Sequence, residues 1–479
     1  MTIELLTDAL KAFGGAEYLI REVKTRRAEN YNIKKQTEMN REVETALLNL
    51  TLYTTFTEKN EKGEDAKYRG SFSTEIHPGT SPGELRAIIE EGLYAAGFAK
   101  NAWYPLVEPA ASTARAANAD AGAGAALDMA KALEELKAAF YAHDNRADGN
   151  ISYSEFFLTQ SDVRIVNSSG VDVSYSANDA YIETAVHWRG GGAEKGETEI
   201  SESYRFSLPA DTRIAADLRG AVDICGAADI CGAADVCGAA DMLKERVAHL
   251  FAVAEKKSAA APMPRLGDID VLLSGECLAE FFSYYLQCAN ARQVYQNLST
   301  FKEGAQVQGK AEAGGAGDRV SLFIDPRMEG SSRSRPYDND GLPLSGHKII
   351  EDGKLLKYLG DTRFASYLGI APTGDIANMR VAGGTVDAAE LRAAPHLELV
   401  SFSDFQMDSV TGDFGSEIRL GFYFDGEKTV PVTGGSISGN IAKVQETLRM
   451  SREERQYDSF RGPAAIRIRG ASISGVSES

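Results

Sequence analysis

The sequence predicts an α+β fold of two domains, in which mixed or antiparallel sheets carry packed helices. The chain has 479 residues, which exceeds what one ordinary hydrophobic core holds. Alternating runs joined by Asp-Gly turns predict antiparallel hairpins. Helical and strand patterns are not regularly interleaved, and this disfavours a doubly wound parallel sheet.

The first half begins with a predicted helix over residues 1–25, because Leu5, Leu10 and Leu19 lie near helical spacing. The later patterns alternate between strand and helix. They predict strands at 31–33, 44–56 and 71–80, a helix over 82–99, a helix over 126–141, a hairpin or meander over 155–176, a strand that ends near Leu208, and a helix through 242–257.

Two low-complexity segments interrupt this half. Residues 109–126 are rich in Ala and Gly and are predicted to be a linker or insertion. Residues 223–241 contain three tandem hexapeptides, ICGAAD, ICGAAD and VCGAAD. The segment SAAAPMPR at 258–265 predicts a domain boundary. It divides the chain into an N-terminal α+β domain, 1–257, and a β-rich C-terminal domain, 258–479.

The second half opens with a predicted buried strand, IDVLLSG, and a helix on which Leu278, Phe282 and Tyr285 share one face. Hairpins are predicted at 348–359 and 420–432, each around an Asp-Gly turn. Strict alternation over 464–475 predicts one half-buried strand.

Charge and composition limit the possible partners. The net charge of −18 disfavours nucleic acid or an anionic membrane surface as the main partner. The sequence contains no apolar stretch of ~18 residues, so no membrane span is predicted. The start of the chain lacks the pattern of a secretory signal, and five clustered cysteines do not suggest a disulfide framework. We therefore expect a cytoplasmic protein.

Residues 144–155 have the spacing of a calcium-binding loop, but Arg146 stands where an oxygen ligand is needed. The simpler interpretation is a polar turn that enters a hairpin. In a helix, the six-residue spacing of Cys225, Cys231 and Cys237 places these side chains on three faces, unlike the short spacing of zinc ligands. We interpret the hexapeptides as a duplication that lengthens a linker helix.

Four segments of the second half keep one order. They are DPRMEGSSRSRPYDNDGLPLSGHKIIEDGKLLKYLGDTRFASYLG, TGD at 373–375, SVTGDFGSEIRLGFYFDGEKTVPVTGGSISGNI and PAAIRIRGASISG. Together they resemble the TldD/PmbA family, and specifically its TldE (PmbA) branch. The first half is similar through RIVNSSGVDVSY. Asp340 and Gly415 depart from the branch pattern, which usually has Glu and Ser there.

In the TldD branch, a helix after the first strand of the second domain carries H-E-x-x-x-H, and a later cysteine completes the metal site. The equivalent segment here is GECLAEFFSYYLQ, so Glu276, Cys277 and Glu280 occupy a degenerate metal helix without histidine. The resemblance implies no catalytic residue and no metal on this chain, with zinc in a TldD-type partner. It implies a role in the scaffold or a peptide groove for the motif residues Asp338, Asp340, Gly341, Thr411, Gly412, Asp413, Gly439 and Asn440.

Three hypotheses follow. The chain is a non-catalytic subunit that pairs with a TldD-type metallopeptidase and helps to hold an unfolded peptide. Alternatively, it is a homodimer that binds peptides without hydrolysis. The third possibility is an independent metallopeptidase whose site combines Glu276, Cys277 and Glu280 with a distant histidine.

Overall fold

The computed structural model describes residues 2–14, 16–109, 127–189, 198–208, 238–309 and 317–475. The predicted α+β class is confirmed, since one half builds a helix-covered antiparallel sheet and the other builds two further sheets. We call 2–258 the N-terminal half and 259–475 the C-terminal half. Most of the Ala/Gly-rich insertion and the cysteines of the hexapeptides lie outside the described residues.

The N-terminal half contains, in its described part, a sheet of seven strands in the order β4-β3-β2-β1-β5-β6-β7. Every neighbouring pair is antiparallel. The strands are β1 (Glu17–Ile33), β2 (Gln36–Lys59), β3 (Asp65–Ile76), β4 (Asn101–Ala102), β5 (Gly149–Asn167), β6 (Asp172–Trp188) and β7 (Thr198–Ser207).

Helices cover one face of this sheet. Successive strand side chains point to opposite faces, and the even-numbered Ile20, Leu50 and Phe156 are buried against the helices. Ser81 and Glu84 form a reciprocal capping box at the start of the second helix. The helices are α1 (Ile3–Lys11), α2 (Pro82–Ala96), α3 (Met129–Phe140) and α4 (Ala239–Ser258), with a 3-10 turn at Tyr141–His143.

The predicted helix over 1–25 is wrong beyond its first part. It ends at Lys11, and Glu17 begins β1, which lies in the middle of the sheet. Leu19 faces the C-terminal half, whereas Ile20 faces the helices. Because a central strand of this kind is covered on both faces, adjacent apolar residues appear where an exposed strand would alternate.

The C-terminal half packs a helix, α5 (Cys277–Cys288), between two sheets. Phe281 contacts Phe414 of one sheet with ring centroids 5.8 Å apart, and Phe282 stacks on Phe460 of the other at 6.0 Å. The shorter helices are α6 (Ala291–Tyr295), α7 (Thr362–Leu368), α8 (Ala388–Leu391) and α9 (Ile441–Val444).

Six strands form one of these sheets in the order β12-β11-β10-β13-β21-β20. They are β10 (Leu322–Ile324), β11 (His347–Glu351), β12 (Lys354–Leu355), β13 (Met379–Val381), β20 (Glu454–Tyr457) and β21 (Phe460–Pro463). The other sheet contains β8 (Ala261–Pro262), β9 (Val271–Ser274), β14 (His396–Phe402), β15 (Gln406–Met407), β16 (Asp413–Phe424), β17 (Thr429–Thr433), β18 (Ser436–Asn440), β19 (Arg449–Met450), β22 (Ala465–Ile468) and β23 (Ser472–Ser474).

The single strand predicted over 464–475 is also wrong. The segment forms β22, which pairs with β9, and then β23, which pairs with β18. Gly470 separates the two strands with φ of +84°, a left-handed conformation that suits glycine and that a continuous strand cannot contain.

The segment that resembled a calcium loop is a polar turn that leads into the first residues of β5. Asp144 Oδ1 accepts the Ile151 backbone N–H at 3.1 Å, and its other oxygen lies 3.3 Å from Lys35 Nζ. Its carboxylate is therefore already paired within the fold. No helix among the described residues is long and apolar enough to cross a membrane.

Candidate functional site

A cleft of about 1260 Å³ lies between the two halves of the chain. The N-terminal half contributes β7 and one side of α4. The C-terminal half contributes the start of α5, the end of β14 with the residues that follow it (400–405), and β20. The cleft therefore joins elements that are distant in sequence.

Strand β7 presents a free edge to this cleft. The Leu208 N–H donates to Asn178 O on the β6 side, whereas the Ser207 N–H donates to Gly330 O on the opposite side. Because the direction of backbone groups alternates along a strand, Ser201, Ser203 and Arg205 also direct theirs away from β6. Within the described residues, no other strand pairs with this edge.

Strand β20 presents a second edge to the same cleft. The Ala464 N–H donates to Glu453 O, so odd-numbered residues here bond towards β21. Glu454 and Gln456 therefore direct their backbone groups outward, and β20 is the last strand of its sheet in the described structure. Two exposed strand edges thus border one cavity.

Arg246 of α4 occupies the centre of the N-terminal wall. Its guanidinium forms an ion pair with Glu276 at the start of α5 and lies 3.6 Å from the Glu202 carboxylate of β7. It also lies 4.5 Å above the Tyr204 ring. Only 18% of the Arg246 side chain is exposed, so the cation is held in place on several sides.

Burial changes the ionisation of two neighbours of Arg246. Burial raises the pKa of Glu202 to about 7, although nearby Arg246 opposes this effect. Burial lowers the pKa of His249, and Arg455 and Arg246 lower it further. Near neutral pH, Glu202 is thus a carboxyl group that changes charge beside a fixed cation.

The predicted degenerate metal helix lies on the C-terminal wall, and the structure brings Glu276, Cys277 and Glu280 to the same cleft. The buried Cys277 Sγ donates to Ser274 O at 3.4 Å, and burial raises the pKa of this thiol. Burial also raises the pKa of Glu280, partly offset by the Met407 backbone N–H. Among the described residues, no three His, Cys, Asp or Glu side chains converge as metal ligands do.

The motif residues Asp338, Asp340 and Gly341 lie elsewhere, in a loop that packs on the N-terminal sheet. Asp338 Oδ1 accepts the backbone N–H groups of Asp340 and Leu342, each at 2.9 Å. Gly341 has φ of +85°, and a Cβ there would lie 2.7 Å from Val171 Cγ1. This loop therefore fixes the contact between the halves.

The carboxyl of Asp340 lies in the same interface. Burial raises its pKa to about 7, and the neighbouring carboxylates of Asp338, Asp361 and Asp375 raise it further.

A second group of motif residues joins β16 to β18. The Asn440 side chain donates to Thr411 O at 3.0 Å and to Asp413 Oδ1 at 2.8 Å. Gly412 has φ of +78°, and a Cβ on Gly439 would lie 2.4 Å from the Phe414 ring. None of these residues lines the cleft, and their contacts suit a role in the scaffold.

The sequence patterns did not single out Glu202, Arg246 or His249. One signal for Arg246 was present, because it lies three residues after Leu243 and four before Leu250, both fully buried. That spacing places a cation beside the apolar stripe of α4.

The match to a protein-family model lies in the C-terminal half of the chain. Residues 266–475 match the family described as PmbA/TldA metallopeptidase C-terminal domain. An uncharacterized protein of Methanocaldococcus jannaschii is 24% identical over 198 residues, 36% of this chain and 44% of that protein. Metalloprotease PmbA of Escherichia coli O157:H7 is 28% identical over 130 residues, 26% of this chain and 29% of the relative. The chain thus spans less than half of the length of these curated relatives.

Solved structures match the fold over nearly the whole chain. TldE from Thermococcus kodakarensis has a TM-score of 0.68 at 15% identity, covering 98% of this chain and 99% of that one. A protein titled as a putative modulator of a DNA gyrase from Thermotoga maritima has a TM-score of 0.69 at 16% identity, covering 98% and 100%. At these identities the likeness establishes the shared fold.

Proposed function

We propose that this chain, whose residues 266–475 match the PmbA/TldA metallopeptidase C-terminal domain family, is a TldE-like, non-catalytic subunit of a cytoplasmic metallopeptidase that processes or degrades unfolded peptides. In this proposal the chain supplies one half of a dimer and part of the path of the peptide. Zinc and the hydrolytic groups belong to a TldD-type partner chain.

The cleft between two strand edges is the observation that carries this proposal. An extended peptide can add to β7 through the backbone groups of Ser201, Ser203 and Arg205. Backbone pairing of this kind is independent of the peptide sequence, as a protein that handles many unfolded peptides requires. Folded proteins would be excluded, because their strands are already paired.

The residues on the degenerate metal helix do not fit a zinc ion. The Arg246 guanidinium already neutralises Glu276, and a cation at that position repels a second one. The Cys277 thiol is buried with a raised pKa, whereas zinc binds the thiolate. We therefore assign no hydrolytic step to this chain.

Peptide binding tests the proposed path. Ser203→Pro removes one backbone N–H from the free edge of β7 and leaves the ladder to β6 intact. We expect a fluorescent, unstructured ten-residue peptide to bind the variant at least fivefold more weakly than the wild type in fluorescence anisotropy. Ser73→Pro, on the outer side of β3 at the opposite end of the same sheet, is the matched control. Equal affinities for the wild type and Ser203→Pro would overturn the proposed path.

Metal content and partner binding test the proposed role. The chain, incubated with excess zinc and desalted, is expected to retain far less than one equivalent, and to bind an H-E-x-x-x-H chain of the same organism. Near-stoichiometric zinc with chelator-sensitive hydrolysis would favour an independent metallopeptidase. A homodimer that binds peptides but does not bind the H-E-x-x-x-H chain would favour a binding module without hydrolysis.

A further inference from the structure

The outer edge of β2 is unoccupied over half of its length in the described structure. Strand β2 spans Gln36–Lys59, but β3 pairs only with Leu48–Lys59. Residues 36–47 pair with β1 on one side and with no described strand on the other. Apart from the half-buried Val43, every residue of this segment is exposed. This segment is the β2 free edge.

The direction of the backbone groups on the β2 free edge follows from a hydrogen bond at the opposite end of β2. The Asn60 N–H donates to Glu64 O on the β3 side, so even-numbered residues of β2 point away from β1. Asn40, Glu42 and Glu44 therefore offer unpaired N–H and C=O groups. Natural sheets often protect such an edge with proline, a bulge or charged side chains. Residues 40–47 contain no proline and keep a regular register with β1, and their charged residues are Arg41, Glu42 and Glu44.

The two faces of the β2 free edge differ in chemistry. On one face, the apolar Met39, Val43 and Leu47 alternate with Arg41, which pairs with Glu29, and with Thr45. Glu42 and Glu44 lie on the other face, where Arg26 of β1 pairs with Glu42 and lies opposite Glu44 in the register. One guanidinium therefore faces two glutamates, and a negative charge is left over.

The charges disfavour a second copy of this chain that pairs through residues 41–44. Two copies related by a two-fold axis would pair antiparallel, with the axis centred on one residue of the edge. A centre at Glu42 or Glu44 places that glutamate opposite itself, and a centre at Val43 places Glu42 opposite Glu44. A centre at Arg41 places two guanidinium groups opposite each other. Like charges in directly opposed positions destabilise strand pairing.

We propose that the β2 free edge binds a strand of a different protein in which basic and apolar residues alternate. The basic side chains would lie opposite Glu42 and Glu44, and the apolar ones beside Met39, Val43 and Leu47. Backbone pairing with Asn40, Glu42 and Glu44 supplies the attachment, and the charge pattern supplies the choice of partner. This surface is separate from the cleft and does not depend on the proposed function.

A synthetic strand tests the proposal on the full-length chain. The probe is an acetylated, fluorescein-labelled nine-residue peptide with alternating lysine and valine, and the reference peptide has the same composition with its lysines contiguous. We expect the alternating peptide to bind at least tenfold more tightly by fluorescence anisotropy at low salt. Equal binding of the two peptides, or none, would overturn the proposal.

Variants locate the binding. The double variant Glu42→Lys with Glu44→Lys, and separately Glu44→Pro, should each weaken binding at least tenfold. Glu61→Lys at an exposed hairpin tip should not. If Glu44→Pro melts early, the lysine double variant still decides the result. Unchanged affinity in that double variant would contradict the proposal. A wild-type dimer that Glu44→Pro converts to monomers would assign the edge to a second copy instead.

Discussion

The Arg246 guanidinium and the Glu276 carboxylate form an ion pair that joins the two halves of the chain across the cleft. Arg246→Ala should remove this link and leave Glu202 and Glu276 without a counter-charge. We expect a loss of about 1–3 kcal/mol in the free energy of unfolding, because the Glu202 carboxylate, which is only 29% exposed, loses its partner.

Denaturant titration measures this loss. Arg86→Ala is the control, since Arg86 pairs with Glu90 on an exposed helix surface and should cost about 0.5 kcal/mol or less. Equal losses in the two variants would show that the Arg246 pair contributes no more than a surface pair.

Glu202 should make the stability of the protein depend on pH. Its pKa is about 7 in the folded chain, against an ordinary value of 4.5. Between these values the folded state binds more protons than the unfolded state. The contribution of Glu202 is therefore fully present below pH 4.5 and is lost as the pH rises through 7. Relative to the wild type, Glu202→Gln should become more stable by about 1–3 kcal/mol between pH 5 and 8.

The difference in unfolding free energy between these two proteins, taken at each pH, isolates Glu202 from groups such as Asp340, which titrate equally in both. A difference that stays constant from pH 5 to 8 would refute the assignment.

Gly341→Ala should weaken the contact between the halves. Its positive φ costs about 1–2 kcal/mol for an L-residue, and the clash with Val171 adds about 1–3 kcal/mol. Gly63→Ala is a matched control, since Gly63 has φ of +78° but nothing within 4 Å of the added Cβ. Calorimetry should show the larger loss at Gly341. Equal losses would mean that the loop moves aside without cost.

Asn440→Ala separates the two roles predicted for the second motif group. If Asn440 belongs to the scaffold, the variant should lose about 1 kcal/mol of stability, because three hydrogen bonds disappear, including the cap on Ala442 N–H. Affinity for the unstructured peptide should stay within twofold of the wild type. Ser203→Pro should show the reverse pattern. A large drop in affinity at Asn440 would place this group in the peptide path.

The sequence patterns predicted most helices and hairpins, because short-range features such as turn residues and apolar spacing determine these elements. The hairpins at 348–359 and 420–432 contain Asp-Gly turns, and the amphipathic stripe of α4 is continuous. The error at β1 has a tertiary cause. Leu19 and Ile20 are covered by different parts of the fold, so their adjacency carries no strand periodicity.

The cleft was predictable only in part. Family resemblance pointed to Glu276, Cys277 and Glu280 on one wall. Glu202 and Arg246 lie on two other elements, 74 and 30 positions before Glu276 in the sequence. A polar residue on an amphipathic helix usually faces solvent, and only the packing of the two halves converts Arg246 into a buried cation.

The loop around Gly341 and the contacts near β4 hold the halves together far from the connecting segment at 259–260. Arg363 donates to Asn101 Oδ1 at 2.6 Å, and Tyr367 donates to Ala102 O at 2.8 Å. The covalent link between the halves is thus one attachment among several. The two fragments of a chain cut at 259–260 should therefore stay associated. The same two fragments, produced as separate polypeptides, should associate and recover the native fold.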